Sequence, residues 1–539
     1  LLARHLGMKE LEEEVTAMRE KLRLQMLPEE IRQSLQQQEQ KEAKRPEYTG
    51  PLVPWFKNVM PHLDIQKGIL DESVFAANLA EVAAGEGREV YRDPDTFFSK
   101  TYFTAGLKTI ARRVIKGLNG EEDAENRVVS LQTGFGGGKT HSLITLYHLA
   151  RLGRQAQDSA YTRELLAATG APRFEEARVA VFTNATNDPT QGRQTAEGIR
   201  LHTIWGELAY QLGGREAYEI VRANDEQLTA PAGLFRKVLE QTRPALILID
   251  ELADYCVKAA GRRVGGSTLS DQTISFVQEL SEAVAGANHC VLVATLPASV
   301  VEVATSPEGA QILTSLTNRL SRIGKDTKPV EDEEIFEVIR RRLFEDLGEE
   351  KQIEQVVTEY MKMYEQMALM NELPPHASKS AYRALLRKSY PFHPELIDMF
   401  RIRWASNHDF QRTRGVLRLL ASIVSDLWKR QGSLAGNRAL IHTSDVNFAN
   451  LDALSSQLKK LYGNGYDAVI PADVSGGSAN AFKVDTEKRE YGLYDLTQGI
   501  ASTILLGSFG STGGNRGVSM EEIKLCVLRP DSFNHNNVN

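Results

Sequence analysis

Between residues 126 and 330, short and continuously apolar runs alternate with stretches whose apolar residues recur at i, i+3 and i+4. Runs of the first kind read as strands buried on both faces, and stretches of the second kind as the helices that cover them. The expected strands are Val128 to Leu131, Arg178 to Phe182, Ala245 to Ile249, Cys290 to Ala294 and a short one from Ile323 to Lys325. This alternation predicts an α/β unit with a parallel sheet. After residue 331 the strand pattern is expected to stop. EDEEIFEVIRRRLFEDL, IEQVVTEYMKMYEQMAL, SAYRALLRKSY, PELIDMFRIRWA and RGVLRLLASIVSDLW all carry helical spacing, so residues 331–432 are expected to form a helical lid.

The two ends read differently. Residues 1–50 are charged and Gln-rich, with Leu11, Val15, Met18 and Leu22 spaced by four and three, the stripe of a helix that packs on another helix. One amphipathic helix docked on its own protein and a coiled-coil contact both fit that stripe. RPEYTGPLVPW ends this N-terminal helical arm with three prolines and a glycine. Residues 51–125 are expected to be a helical lead-in to the sheet. From residue 433 glycine and serine increase, and a small mixed C-terminal domain over 433–539 is expected, for which a winged helix would fit. Ser519 and Glu522 have the spacing of a capping box that opens a last short helix. The chain starts at Leu1 and ends in NHNNVN, so a piece of a longer protein is expected.

At 539 residues the chain exceeds one ordinary domain. Its net charge of −7 comes from 64 Lys and Arg against 71 Asp and Glu, so any contact with DNA must come from local patches. Cys256, Cys290 and Cys526 lie far apart without CxxC spacing, which argues against a zinc site or a disulfide framework and fits a reducing cytoplasm. No apolar stretch reaches the ~18 residues of a membrane span, so no membrane partner is expected.

Candidate chemistry is concentrated in LQTGFGGGKTH, residues 131–141, which follows the first strand and opens a helical pattern. Gly134, Phe135, Gly136, Gly137 and Gly138 would curl the backbone so that its N–H groups face phosphate oxygens, at the positive end of a helix dipole. Lys139 would span the β- and γ-phosphates of a nucleoside triphosphate, and the Thr140 hydroxyl would hold Mg²⁺. The strict pattern has glycine where Thr133 stands. PALILIDE, residues 244–251, supplies the matching acidic strand end: Asp250 for the Mg²⁺ shell and Glu251 to polarise the attacking water. His141 reads as a residue packed at the helix start rather than as a base. The implied ligands are ATP and Mg²⁺.

A sheet followed by a helical lid resembles the AAA+ type of P-loop NTPase, and the resemblance implies further groups. Thr295, ending the HCVLVAT strand, matches the polar residue that orients water between the acidic pair and the γ-phosphate. Arg319 and Arg322 in LTNRLSRIG match the region of the arginine finger that enters a neighbouring subunit's site; surface ion pairs are the plainer reading. Arg414 in TRGVLRLLA matches the lid arginine that senses the γ-phosphate, whereas Arg418 reads as a solvated lid residue. TNATNDPTQGRQ and KAAGRRVGGSTLSDQ occupy places where ring translocases carry pore loops, but neither has the gripping aromatic, and both read as flexible solvated loops.

WFKNVMPHLDIQKG, DPDTFFSKTYFTAGLK, the LQTGFGGGKTHSLITLYHL string, LILIDELADY and RTRGVLRLLA together resemble a large, formerly uncharacterised family of prokaryotic ATPases. Its genes tend to lie in anti-phage defence islands beside DNA methyltransferases, helicases or nucleases. The resemblance implies an ATPase subunit of a defence complex that acts on foreign DNA, with a homo-oligomer or a multi-protein assembly as its working form. A slow nucleotide switch that recruits an effector is the alternative, and a non-hydrolysing scaffold a third.

Overall fold

The structure is a computed structural model. It describes residues 52–70, 75–133, 138–170, 174, 176–297, 307–322, 325–331, 334–404, 412–432, 434, 438–492, 494–509 and 517–530. The expected N-terminal arm lies outside the described residues, apart from the last positions of its linker.

Five parallel strands form the central sheet: β1 Val128–Thr133, β2 Arg178–Thr183, β3 Ala245–Asp250, β4 Cys290–Pro297 and β5 Lys325–Thr327. Their spatial order is β5-β1-β4-β3-β2. The alternation of a strand's side chains divides the sheet between two cores. Val129, Leu131, Val181, Leu246, Leu248, Val291 and Val293 face α1, Ala105–Asn119, and α2, Lys139–Leu152. Ala180, Phe182, Ile247, Ile249, Leu292 and Ala294 face α3 Ile204–Glu219, α4 Leu252–Ala259, α5 Leu269–Gly286 and α6 Pro307–Ser321. Burial on both faces explains why VVSL, ALILI and CVLVA read as unbroken apolar runs.

The fifth strand includes Lys325, as expected, and runs on to Thr327, paired with Val129, Ser130 and Leu131; residues 323 and 324 lie outside the described residues. Two short antiparallel ribbons, Arg193–Gln194 with Arg200–Leu201 and Arg263–Val264 with Ser267–Thr268, rise from the polar loops after β2 and α4.

The second half is helical: α7 Ile335–Leu343, α8 Glu350–Leu369, α9 Ser380–Ser389, α10 Arg412–Arg430, α11 Leu496–Ser508 and α12 Met520–Val527 are its main members. Strands do not cease after residue 331, because Phe344–Asp346 pairs antiparallel with Met60–Pro61. That pairing shows how the chain is laid out. Leu52, Trp55, Phe56, Val59 and Ile65 share one core with Phe336, Phe344, Trp428, Leu506 and Leu528. The stretch expected as one lead-in to the sheet therefore divides: residues 52–70 and Phe75 build the helical half, and residues from Leu79 to Leu118 pack on the sheet.

The expected mixed, winged-helix domain over 433–539 is also replaced. Its described residues hold helices and a single bridge, Ile441 to Phe392, and they pack on the same core as the lid helices. Leu505 and Leu506 of α11, with Leu525 of α12 and Leu528, complete that core, while Leu496, Ile523, Cys526 and Val527 form a small cluster beside it. Ser519 does cap α12, with Glu522 closing the box.

A polar network lies inside this apolar core. His393 and His442 stack with ring centres 4.4 Å apart, Tyr364 and Tyr360 hydroxyls meet their Nε2 atoms at 2.8 Å, and His442 Nδ1 lies 3.0 Å from the Cys526 carbonyl oxygen. Below them Asp445 is clasped by Arg438 and by Arg529 at 2.7 Å. Burial would raise the Asp445 carboxyl, but Arg529 and Arg438 hold it below the usual carboxylate range. For the histidines burial wins: His393 is lowered to about 4 and His442 well below its ordinary value. His62, beside Lys100, is likewise lowered to about 4, chiefly by burial.

Histidines held neutral when folded and protonated when unfolded make stability depend on pH. Between about pH 6.5 and the lowered values the unfolded chain binds more protons, so stability is complete above pH 6.5 and falls on acidification, by up to about 1.4 kcal/mol per pH unit for each such histidine. Urea unfolding followed by tryptophan fluorescence should show a midpoint that drops between pH 7 and pH 5. A constant midpoint over that range would mean that these imidazoles are solvated.

Candidate functional site

At the C-terminal ends of the strands the sheet order brings the candidate groups together. β4 lies between β1 and β3, with Thr295 level with Leu131 and Ala294 level with Ile249. Asp250, Thr295 and helix α2 share one face of the sheet, and Thr140 occupies the first turn of α2. The Thr140 hydroxyl donates to Asp250 Oδ2 at 2.8 Å, and the Thr295 hydroxyl donates to Asp250 Oδ1 at 2.7 Å. The backbone N–H of Glu251 donates to Thr295 Oγ1 at 3.1 Å. One buried carboxylate thus ties the strand that carries it to a second strand and to the helix after the glycine-rich loop.

Gly138 is the N-cap of α2, with φ at 78°, a conformation that glycine adopts without steric cost. Gly134, Phe135, Gly136 and Gly137 lie outside the described residues. Glu251 also has positive φ, 56°, and caps α4. For a residue with a Cβ this backbone is costly, and it turns the chain sharply at the strand end. The Glu251 carboxyl is raised above its ordinary value by burial first, then by the charges of Asp250 and Asp254. The side chain of Asn184, the residue after β2, hydrogen-bonds to that carboxylate.

Asn184 and Asp254 are the site residues that sequence reasoning missed. Asp254, in the first turn of α4, is raised by burial and opposed by the nearby charges of Lys258 and Lys139. The signal for Asn184 was its place just past a strand end, but only the adjacency of β2 and β3, with Thr183 level with Asp250, aims it at Glu251. The loop that follows is tied down rather than flexible. Asp188 accepts from the N–H groups of Thr190 and Gln191, Arg193 forks onto the buried Glu207 at 2.8 Å through both nitrogens, and Arg262 of the second ribbon donates to the Pro189 carbonyl.

His141 packs under the helix start. Its ring lies 4.6 Å from that of Phe97, and Nε2 is 3.0 Å from the Thr101 hydroxyl. Burial, helped by Arg342 and His148, lowers it to about 3, so it is neutral and not placed as a base. Arg319 and Arg322 are not part of the cluster. Lys325, which follows them, is level with Val129 near the start of β1, so they lie toward the N-terminal edge of the sheet, roughly 15–20 Å of strand from Thr140. The Arg319 guanidinium donates to Gln278 of α5, and Arg322 is exposed. Arg414 falls in the first turn of α10, and its side chain lies outside the described residues.

The oxygen donors of Thr140 and Asp250 suit a hard cation of the Mg²⁺ class, which takes few protein ligands and completes its shell with phosphate and water. Among the described residues no three His, Cys, Asp or Glu side chains converge to hold a metal by themselves, and no helix is long and apolar enough to cross a membrane.

Comparison with curated proteins gives no match. Two family models do match: the DUF499 N-terminal domain over residues 56–326, which ends within β5, and the DUF499 second domain over residues 330–539, which holds the helical half. The chain that builds this threonine, aspartate and glutamate cluster therefore belongs to the DUF499 family.

Proposed function

We propose that this protein is an ATPase with a P-loop core of the AAA+ type, in which Mg²⁺-bound ATP lies across the first turn of α2. The observation that carries the reading is the chain of hydrogen bonds from Thr140 through Asp250 to Thr295 and on to the Glu251 backbone. It joins the end of the glycine-rich loop to an acidic strand end, with a polar residue between them. A plain structural turn would not need a buried aspartate there, since a buried carboxylate costs several kcal/mol unless it is well satisfied.

In the proposed reaction Lys139 and the backbone N–H groups after the glycines hold the β- and γ-phosphates. Thr140 and Asp250 would hold Mg²⁺, which would neutralise charge on the phosphates. Glu251 accepts a proton from the attacking water while the bond from the γ-phosphorus to its bridging oxygen breaks, giving ADP and phosphate. The raised Glu251 carboxyl suits that task, because an acceptor nearer neutrality takes the proton more readily. Asn184 fixes the direction of the carboxylate, and Thr295 fixes its distance from Asp250.

Arg319 and Arg322 lie away from the Asp250 cluster of their own chain, and the side chain of Arg414 lies outside the described residues. That favours turnover in an assembly, where one of them enters a neighbour's site. It also leaves room for the second reading, a slow nucleotide switch that waits for a partner. A role in an anti-phage defence complex, with foreign DNA as the target, is the biological form we propose for either reading.

Lys139→Ala is expected to weaken ATP binding by roughly 2 kcal/mol or more, as measured by calorimetry. Glu251→Gln should bind ATP normally and release phosphate roughly 10²- to 10⁴-fold more slowly; normal turnover would remove Glu251 from its role. Asn184→Ala should slow release by roughly tenfold with binding unchanged. Mixing an Arg319→Ala or Arg322→Ala variant with Glu251→Gln should restore part of the lost turnover, because each contributes the group the other lacks. Absence of rescue at every mixing ratio would rule out an arginine acting between chains.

A further inference from the structure

The segment joining the two halves, residues 327–331, is gripped from two sides. On one side stands the start of α1. The Thr104 hydroxyl, which caps α1 by accepting from Leu107 N–H at 3.1 Å, donates to the Pro329 carbonyl at 2.5 Å. A Cβ on Gly106 would overlap the Lys328 carbonyl oxygen and come within 2.7 Å of that of Pro329, so only glycine allows the helix so close to the joining strand. Arg113, two turns further along α1, donates to Thr327 Oγ1 at 2.8 Å. On the other side, Val330 lies against Gly138, the N-cap of α2, where an added Cβ would be 3.1 Å from its methyl group.

Glu334, just before the first helix of the second half, closes the grip. Its carboxylate accepts from the N–H of Ala105, in the first turn of α1, at 2.7 Å, and from the N–H of Glu331 at 3.2 Å. An anion on a helix N-terminus is favourable, and here the anion belongs to the half that would have to move. The Ala105 to Glu334 bond joins the two matched family domains, and the bonds of Thr104 and Arg113 hold the three residues between them.

We propose that Thr104, Gly106 and Glu334 form a latch that sets the angle of the helical half on the sheet, and that the contact of Val330 with Gly138 lets a ligand at the first turn of α2 load or release it. The second clause rests on the ATP-binding reading, and the first does not. With the latch closed, α1 and residues 327–331 move as one body. Loss of the Thr104 and Glu334 bonds frees the joining strand while leaving the sheet's ladders untouched.

The test is hydrogen–deuterium exchange on the full chain, comparing wild type with Gly106→Ala and with a Thr104→Val, Glu334→Ala double variant. Loss of the Thr104 and Glu334 bonds in one variant, and the overlap forced by a Cβ at position 106 in the other, should speed exchange of residues 103–108, 327–331 and 334–335 by roughly tenfold or more, with 245–250 of β3 unchanged. Thr104→Ser should behave as wild type. Unchanged exchange of both segments in both variants overturns the latch, and so does equal acceleration throughout the sheet, which would make these residues general supports of the fold. Adding a non-hydrolysable ATP analogue with Mg²⁺ should protect residues 138–145 in all chains and slow the joining segment only in wild type. Slowing retained in the double variant overturns the coupling to Gly138. Absence of protection at 138–145 in every chain overturns the coupling together with the ATP reading, while the latch itself is decided by exchange without nucleotide.

Discussion

The candidate site depends on one buried carboxylate. Asp250 receives a hydroxyl from α2 and another from β4, and the second of these threonines in turn receives the N–H of Glu251. Each partner comes from a different segment, so the bonds can form only if β4 threads between β1 and β3. A buried aspartate left without them would cost several kcal/mol. The sheet order and the site chemistry are therefore one constraint: the arrangement that satisfies Asp250 is also the one that leaves Glu251 at the lip, raised by burial and by its acidic neighbours.

The same economy governs the two halves. The sheet is buried by helices on both faces, while the helical half is built from residues far apart in sequence, with Trp55 against Phe344 and Trp428. The described chain starts in the helical half and reaches the sheet by Leu79, before the first strand forms, so the halves are joined between Phe75 and Leu79 as well as at residues 327–331. Lys100 and Asp64 bridge them at 2.9 Å, both largely buried. The proposed latch of Thr104, Gly106 and Glu334 lies at the second of these junctions.

Much of this was legible in the sequence where local signals and long-range order agree. Strands buried on both faces announce themselves as apolar runs, and β1 to β4 appear where those runs stand. The Ser519 and Glu522 cap was readable because its bonds span three residues. What could not be read depends on pairing between distant segments. The short β5 continues to Thr327 because it pairs with Val129 to Leu131. Asn184 joins the site only because β2 lies beside β3. Trp55, Ile65, Leu440 and Leu506 carry no local mark of sharing a core with the lid helices, so a stretch that composition set apart belongs with them. The glycines at 134 to 137 and the side chain of Arg414 lie outside the described residues, so their expected contacts with phosphate stand on the sequence pattern alone.

The central claim is that the cluster around Asp250 handles the phosphates of ATP. Its most direct test is phosphate release by the purified chain with ATP and Mg²⁺ across a range of protein concentrations, alongside a calorimetric titration with the same nucleotide. The account predicts saturable, Mg²⁺-dependent binding of about one ATP per chain, with release per chain rising as concentration drives assembly. No binding at millimolar ATP, with or without Mg²⁺, would contradict it.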